Sequence, residues 1–201
     1  MDHERVLWEA GYESVAGVDE AGRGPLAGPV SVAAVILPQD FQHDLLNDSK
    51  QVSEAKREVL FEEIVNDPRI CWHSEMVSAG EIDEINILQA TWLGMRRAVL
   101  GLRLKAGAAL IDGKPVRDFP IHQVALVKGD SLSFSIAAAS IIAKVTRDRY
   151  MRQLAETYPQ YGFEAHKGYG TAKHLAALRE FGPCPEHRRS FAPVAQLELA
   201  L

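Results

Sequence analysis

The chain has 201 residues, of which 47% are hydrophobic and 24% are charged, so it can bury the core of one domain. It contains no apolar run near the roughly 20 residues of a membrane span, and the charged residues 1–5 give no sign of a signal peptide. The two cysteines, Cys71 and Cys184, lack the spacing of metal ligands and are typical of free thiols in a reducing compartment. These features predict a cytoplasmic protein.

The formal net charge of −5 argues against a nucleic-acid partner, but the charge is unevenly distributed. Residues 144–189 contain nine Lys and Arg residues against five Asp and Glu residues, and three histidines lie in the same segment. Such a segment indicates either ordinary solvated helix faces or a surface that contacts phosphates. Composition alone favours the first interpretation.

Apolar spacing and turn residues predict an alternation of strands and helices. In chain order, the predicted elements are a helix over residues 3–10, strands over 14–19 and 29–37, a helix over 54–65, a strand over 70–77, a short helix after Ser78, a helix over 87–102, strands over 108–113 and 123–128, helices over 133–157 and 171–181, and one or two helical turns after 194. The link between the first two strands is too short for a parallel crossover, so we expect them to pair antiparallel.

This order of elements indicates an α/β domain with a mixed sheet. We expect a single domain over residues 1–201, with the sheet and its packed helices in about 1–157 and a helical C-terminal extension in about 158–201.

Apolar periodicity also predicts which helix faces are buried. In the longest helix, residues 136–143 are apolar all round and predict a buried segment, whereas the second half is expected to reach solvent with Arg147, Asp148, Arg149 and Arg152. In the helix over 87–102, the residues at helical spacing are predicted to pack in the core without a chemical role; they are Leu88, Trp92, Met95 and Val99. In the helix over 54–65, one apolar face is predicted to be formed by Val59, Leu60 and Ile64.

Acidic residues stand at the ends of three predicted strands, namely Asp19 with Glu20, Asp112, and Asp130. The last two have plain alternatives, since Asp112 before Gly113 suits a tight turn and Asp130 suits the N-cap of the next helix. Ligands of open α/β sheets gather at such strand ends, so the four carboxylates are candidates to converge there. Converging carboxylates repel one another, and divalent cations would offset the repulsion; a pair of such cations suits phosphoryl transfer.

The segment 19–24 sets a geometric condition. Neighbouring strand residues point to opposite faces of a sheet, so Asp19 and Glu20 can face one metal site only if the strand breaks there, and the following Ala-Gly-Arg-Gly would permit such a break. These glycines do not form a dinucleotide-binding loop, because Gly28 is one residue late and a strand follows instead of a helix. The chain also lacks a P-loop, the H-E-x-x-H of zinc hydrolases and the G-x-S-x-G of serine hydrolases.

Seven segments together resemble the ribonuclease HII family, the type 2 ribonucleases H, and they occur in the family's order. They are D-E-A-G-R-G-P at 19–25, N-D-S-K at 47–50, I-D-G at 111–113, K-G-D at 128–130, S-I-A-A-A-S-I-I-A-K-V-T-R-D at 135–148, H-K-G-Y-G-T at 166–171 and H-R-R-S-F at 187–191. The resemblance implies a ribonuclease H-like fold and hydrolysis of the RNA strand in RNA–DNA hybrids. It also implies cleavage 5′ of single ribonucleotides embedded in duplex DNA, leaving 3′-hydroxyl and 5′-phosphate ends, with a place in ribonucleotide excision during DNA replication and repair.

The same resemblance implies a metal site and a catalytic site. Asp19, Glu20, Asp112 and Asp130 match the family's four metal-binding carboxylates, which are used with Mg²⁺ or Mn²⁺. Two-metal catalysis by these four residues is therefore the expected mechanism.

Substrate-binding residues are implied as well. Gly22, Arg23 and Gly24 match the motif that senses the ribonucleotide 2′-hydroxyl, and Tyr169 matches the tyrosine that stacks on the neighbouring deoxyribose. A 2′-hydroxyl is what distinguishes RNA from DNA, and glycines let the backbone approach it closely. Three lysines are candidates to contact phosphate, namely Lys50, Lys144 and Lys167. For each of them, an ordinary role at the surface or at a helix end is an equally good interpretation.

Two other functions are retained as alternatives. Another ribonuclease H-like nuclease, such as a junction resolvase, would prefer an all-DNA four-way junction. A module that binds hybrids without cutting them would leave the four acids unexplained. The tail after residue 194 shows no clear clamp-binding motif, and we expect a monomer.

Overall fold

The structure, a computed structural model, describes residues 1–43 and 53–198, so Lys50 and the segment 47–50 lie outside the described residues. Its centre is a five-stranded sheet in the order β3-β2-β1-β4-β5. The strands are β1 (Val15–Ala21), β2 (Val30–Ile36), β3 (Cys71–Val77), β4 (Ala108–Asp112) and β5 (His122–Leu126). β2 pairs antiparallel with β1 and β3, while β4 pairs parallel with β1 and β5. The predicted mixed sheet and the antiparallel first pair are confirmed.

Seven α-helices lie within the described residues. They are α1 (Asp2–Glu9), α2 (Glu54–Asn66), α3 (Ala79–Leu100), α4 (Phe134–Thr157), α5 (Phe163–His166), α6 (Ala172–Phe181) and α7 (Ala192–Glu198). Ser53, Ser78 and Thr171 cap α2, α3 and α6 by accepting a main-chain N–H, and Glu81 completes a capping box with Ser78. The two helices predicted after Ser78 are present within α3, where the non-helical backbone of Asn86, with φ 66° and ψ 162°, separates them. None of the helices in the described ranges is long and apolar enough to cross a membrane.

The sheet is covered by α4 on one face and by α3 on the other. Apolar residues of α4 such as Ile141 and Ile142 pack with Ala33 and Val35 of β2, so the predicted burial of 136–143 is confirmed. On the opposite face, α3 packs into a cluster with the alternate residues of β1 and β2. This alternation decides which side of the sheet each β1 side chain faces.

Gly17 of β1 is the point of closest approach between α4 and the sheet. A Cβ atom built on Gly17 would lie 2.0 Å from the carbonyl carbon of Ser135, at the start of α4. Main-chain atoms of a helix start cannot give way as a flexible side chain can. The absence of a side chain at this position is therefore a packing requirement of the fold.

We expect Gly17→Ala to lower the free energy of unfolding by about 3 kcal/mol, because the new methyl group forces α4 away from β1. Urea denaturation followed by circular dichroism measures this change. Gly80→Ala is the matched control, since the nearest atom to its new Cβ is the Ser78 Oγ at 4.0 Å, and it should lose no stability. Equal stability of both variants would contradict the close packing.

Four predictions of exposure or burial are wrong. Arg147 and Asp148 are only 1% and 5% exposed, because residues 161–184 pack over the second half of α4 in a cluster that includes Tyr161 and Phe163. Val59 and Leu88, predicted to be apolar packing residues, are exposed. Periodicity along one helix does not reveal which distant segment covers it.

Two arginines of the basic segment are neutralised by acids of a neighbouring helix. Arg149 and Arg152 on α4 reach the surface, but their guanidinium groups form ion pairs with acids of α2, which are Glu54, Glu58 and Glu62. These contacts join two helices. The composition-based preference for ordinary helix faces is thus closer to the structure than a continuous phosphate-binding surface.

Candidate active site

The acids at the ends of β1 and β4 lie side by side. The parallel register pairs Val18 with Ile111, so Asp19 and Asp112 follow directly on adjacent strands. Asp19 is 6% exposed, and its Oδ1 accepts the main-chain N–H of Glu20 at 2.7 Å. Asp112 accepts the main-chain N–H of Gly129 through Oδ1 at 2.6 Å, which joins the end of β4 to the turn after β5.

Asp19 and Glu20 leave β1 on opposite faces. The break that residues 21–24 would permit does not occur at these acids, because pairing of β1 with β2 continues to Ala21. Asp19 shares the α4 face and its carboxylate is stabilised by Ser140 of α4, whereas Glu20 lines a cavity against Trp92 of α3. The two acids are therefore neighbours across the edge of the strand, not on one face.

Burial and like charge act together on these carboxylates. Burial raises the pKa of Asp19 well above its ordinary value, and the charges of Glu20 and Asp112 raise it further. Burial also raises the pKa of Glu20, while the neighbouring Arg23 guanidinium opposes that rise. Within residues 1–43 and 53–198, however, no three His, Cys, Asp or Glu side chains stand in an arrangement that could hold a metal ion.

Asp130 does not cap the following helix. Ser133 is the N-cap of α4 and accepts the N–H of Ile136 at 3.1 Å, so the N-cap interpretation of Asp130 is wrong. Asp130 lies instead in a 3₁₀ turn, Gly129–Ser131, and is 7% exposed. It directly follows Gly129, the donor to Asp112, and so belongs to the same edge of the sheet.

The turn Gly22–Gly24 follows the acids without a gap. Gly22 has φ +92°, and a Cβ there would lie 2.0 Å from Nε of Arg147, so no other residue fits. Arg23 donates to Glu20, with Nη1 to Oε1 at 3.2 Å. A Cβ built on Gly24 would lie 3.7 Å from Cε1 of Tyr169, whose ring is half exposed. The structure thus brings the turn, Glu20 and Tyr169 together.

The candidate lysines are engaged within the chain. Lys144 donates to the carboxylate of Asp148, with Nζ to Oδ1 at 2.7 Å, and Lys167 donates to the carbonyl oxygen of Glu164. Their contact with phosphate stays a prediction, as does that of Lys50, which is outside the described residues.

A cavity of about 570 Å³ opens beside Glu20 and Asp112. Its far wall is formed by α3 through Leu88 and Trp92, to which the sequence assigned only core packing. Arg23 and Lys114 also line it. These α3 residues were missed because apolar spacing on a helix cannot distinguish a core from the wall of a cleft.

An α/β sheet with acids at the ends of two adjacent parallel strands, one of them continuing into a glycine-rich turn, defines a ribonuclease H-like nuclease. Solved structures share the fold. The ribonuclease H2 from Pyrococcus horikoshii OT3 has a TM-score of 0.77 and 27% identity, covering 93% of this chain and 98% of that one. Bst-RNase HIII in complex with Mn²⁺ has a TM-score of 0.75 and 20% identity, covering 94% and 70%.

The chain belongs to the ribonuclease HII family. A family model described as Ribonuclease HII matches residues 16–194. Ribonuclease HII of Delftia acidovorans is 60% identical over 183 residues, which are 91% of this chain and 77% of that protein. The chain is accordingly a metal-dependent endoribonuclease that acts on RNA–DNA hybrids.

Proposed function

We propose that this endoribonuclease also nicks duplex DNA on the 5′ side of a single embedded ribonucleotide, leaving 3′-hydroxyl and 5′-phosphate ends. One observation carries the proposal. The turn Gly22–Gly24 joins the carboxylate site through the Arg23–Glu20 contact and faces the ring of Tyr169. One ribonucleotide would therefore span the groups that recognise its sugar and those that act on its phosphate.

The chemistry of these donors suits divalent cations, although their side chains would have to move together to bind one. Asp19, Glu20, Asp112 and Asp130 offer only oxygen ligands, which Mg²⁺ and Mn²⁺ prefer, and the cost of burying Asp19 beside like charges is what a cation would offset. We propose these four residues as the holders of Mg²⁺ or Mn²⁺, which when bound supply an activated water and neutralise the leaving oxygen.

The chain's own residues orient the substrate. Arg23 holds Glu20 beside the turn, and the Gly22–Gly24 backbone can approach a ribose closely because no side chain intervenes. The ring of Tyr169 offers a flat face to a sugar that lacks a 2′-hydroxyl, as the next deoxyribose would. A deoxyribose at the position of the turn would leave those polar groups without a hydroxyl to bind.

A nicking assay tests the function. A labelled DNA duplex with one ribonucleotide is incubated with Mg²⁺, Mn²⁺ or EDTA. We expect one nick 5′ of the ribonucleotide with either metal and none in EDTA, and a polymerase should extend the 3′ end. Preferred cleavage of an all-DNA four-way junction would favour a resolvase, and tight binding without products would favour a hybrid-binding module.

Tyr169→Ala should lower kcat/KM on the single-ribonucleotide duplex by about 5- to 150-fold, because stacking on an aromatic ring contributes about 1–3 kcal/mol. Tyr169→Phe keeps the ring and is expected to stay near the wild-type value. Steady-state kinetics with both variants measures this difference. A large loss in the Phe variant would assign the role to the hydroxyl instead.

Three further properties are proposed. The C-terminal helices pack against the segment between β1 and β2 through the cluster of Leu26, Leu178 and Val194. This contact supports one domain over residues 1–201. The buried free thiols of Cys71 and Cys184 support a reducing, cytoplasmic compartment. A monomer remains the expected state, and sedimentation velocity tests it.

A further inference from the structure

Two arginine side chains are buried beneath the segment 22–29, which carries the glycine-rich turn. Arg147 on α4 is 1% exposed and Arg188, near the C-terminal end, is 0% exposed. Buried guanidinium groups normally face carboxylates. Among the ion pairs of the described residues, none includes either arginine.

Both guanidinium groups instead donate only to main-chain carbonyl oxygens. Arg147 donates through Nε, Nη1 and Nη2 to Pro29 at 2.9 Å, Lys167 at 3.0 Å and Ala27 at 3.1 Å. Arg188 donates through Nε, Nη1 and Nη2 to Gly28 at 2.9 Å, Arg23 at 2.9 Å and Gly22 at 2.6 Å. Five of the six acceptors lie between Gly22 and Pro29.

Holding two cations here is costly. Burial, together with the charge of Arg147, lowers the pKa of Arg188 to about 9. The ring of Phe191 lies 5.1 Å from the Arg188 guanidinium carbon and offsets part of this cost by a cation–π contact. The six hydrogen bonds offset a further part of this cost, and five of them hold the backbone between Gly22 and Pro29 in one conformation.

The carbonyls of Gly22 and Arg23 fix two peptide planes of the turn. In a trans peptide the N–H of the next residue points opposite to the carbonyl, and no peptide of the described chain is cis. Because both carbonyls point inward to Arg188, the N–H groups of Arg23 and Gly24 point outward. Neither N–H forms a hydrogen bond with another described group of the protein.

We propose that Arg188 is a positioning residue, which turns the Arg23 and Gly24 N–H groups into an outward pair of donors for the ribonucleotide that the proposed function requires. The fixed positive charge behind the turn adds to the attraction for the phosphate beside that sugar. Arg147 also packs against Gly22, but its hydrogen bonds hold the carbonyls of Ala27 and Pro29 and not the peptide planes of the turn.

Arg188→Lys tests this role, because a lysine keeps the charge but cannot hold three carbonyls in one plane. The wild-type protein is first shown to nick the single-ribonucleotide duplex; failure at that step removes the proposed function, not the positioning role alone. We then expect KM for that duplex to rise about 10-fold or more, with kcat changed less, since bonds from a charged donor are lost. Binding of the matching all-DNA duplex should be unchanged.

Arg147→Lys is the matched control, as it also loses buried bonds to carbonyls. Both variants should melt at lower temperature than the wild type, but only Arg188→Lys should reduce the ratio of affinities for ribonucleotide-containing and all-DNA duplex. If Arg188→Lys does not fold, Arg188→Gln with the same two readouts replaces it. An unchanged ratio in a folded Arg188 variant, or an equal loss in Arg147→Lys, would overturn the inference.

Discussion

Asp19→Asn should abolish metal-dependent cleavage while raising the melting temperature of the metal-free protein. The activity should fall on the order of a thousandfold or more, because an amide cannot replace the carboxylate that we propose as a ligand of the cation, and such electrostatic contributions amount to several kcal/mol. The gain in stability has a separate cause. Burial and the charges of Glu20 and Asp112 raise the pKa of Asp19 well above its ordinary value, so its ionised form opposes folding at pH 8.

The pH dependence follows from the direction of that shift. The folded protein holds the Asp19 proton more tightly than the unfolded chain, so the destabilisation grows as pH rises above the ordinary pKa of 3.8 and is absent below it. The variant should therefore exceed the wild type in stability at pH 8 in EDTA and approach it in acid. Saturating Mg²⁺ should stabilise the wild type by linkage and narrow the difference.

Differential scanning fluorimetry and the nicking assay measure both effects. Glu180→Gln, an exposed acid on α6, is the control and should change neither activity nor the response to Mg²⁺. Full cleavage by Asp19→Asn would remove this residue from the metal site. A lower melting temperature of Asp19→Asn than of the wild type in EDTA would mean that the hydrogen bonds of Asp19 stabilise the fold more than burial of its charge destabilises it.

The second large effect is a loss of stability in mild acid, caused by two buried histidines below Tyr169. We call His174 and His187, which are hydrogen-bonded to each other, the histidine relay. The N–H of Cys184 donates to Nδ1 of His187 at 3.0 Å, which places the His187 proton on Nε2, facing Nε2 of His174 at 3.0 Å. Nδ1 of His174 then donates to the carbonyl of Tyr169 at 2.9 Å. Both imidazoles must be neutral, because a further proton on either would oppose another N–H.

Burial and the neighbouring His174 lower the pKa of His187 from its ordinary 6.5 to about 4. Between these values the unfolded chain binds more protons than the folded protein, so the free energy of unfolding falls as pH drops from 6.5 to 4. The total is about 3 kcal/mol for His187 alone. The stability is fully present above pH 6.5, and lowering of the His174 pKa by burial acts in the same direction.

Urea denaturation between pH 4 and 8 tests this effect by comparing the wild type with His187→Gln, which removes the titrating ring. The difference between their stabilities should shrink by about 3 kcal/mol as the pH falls, whereas the opposing pH dependence of Asp19 cancels in the comparison. His122→Gln, at an exposed position, should follow the wild type. Parallel profiles for His187→Gln and the wild type would contradict the relay.

Local sequence determined most of the elements. The strands, the caps at Ser53, Ser78 and Thr171, and the antiparallel β1–β2 pair depend on apolar alternation, capping side chains and a short link. The ordered motifs also determined the family, because seven short segments in one order are far more specific than any single one. Asp19 and Asp112 were recognisable as candidates to converge, since each follows an apolar run.

Tertiary structure alone decided which charged side chains are buried and which groups they face. Arg147 and Arg188 are separated by 40 residues and meet under one turn, and only the packing of the C-terminal segment over α4 makes them buried. The opposite faces of Asp19 and Glu20 depend on pairing with β2 that continues to Ala21, which no turn signal in the sequence reveals. Burial, the orientation of peptide planes and the neutral histidine relay arise from contacts between distant segments, and therefore cannot be derived from local spacing.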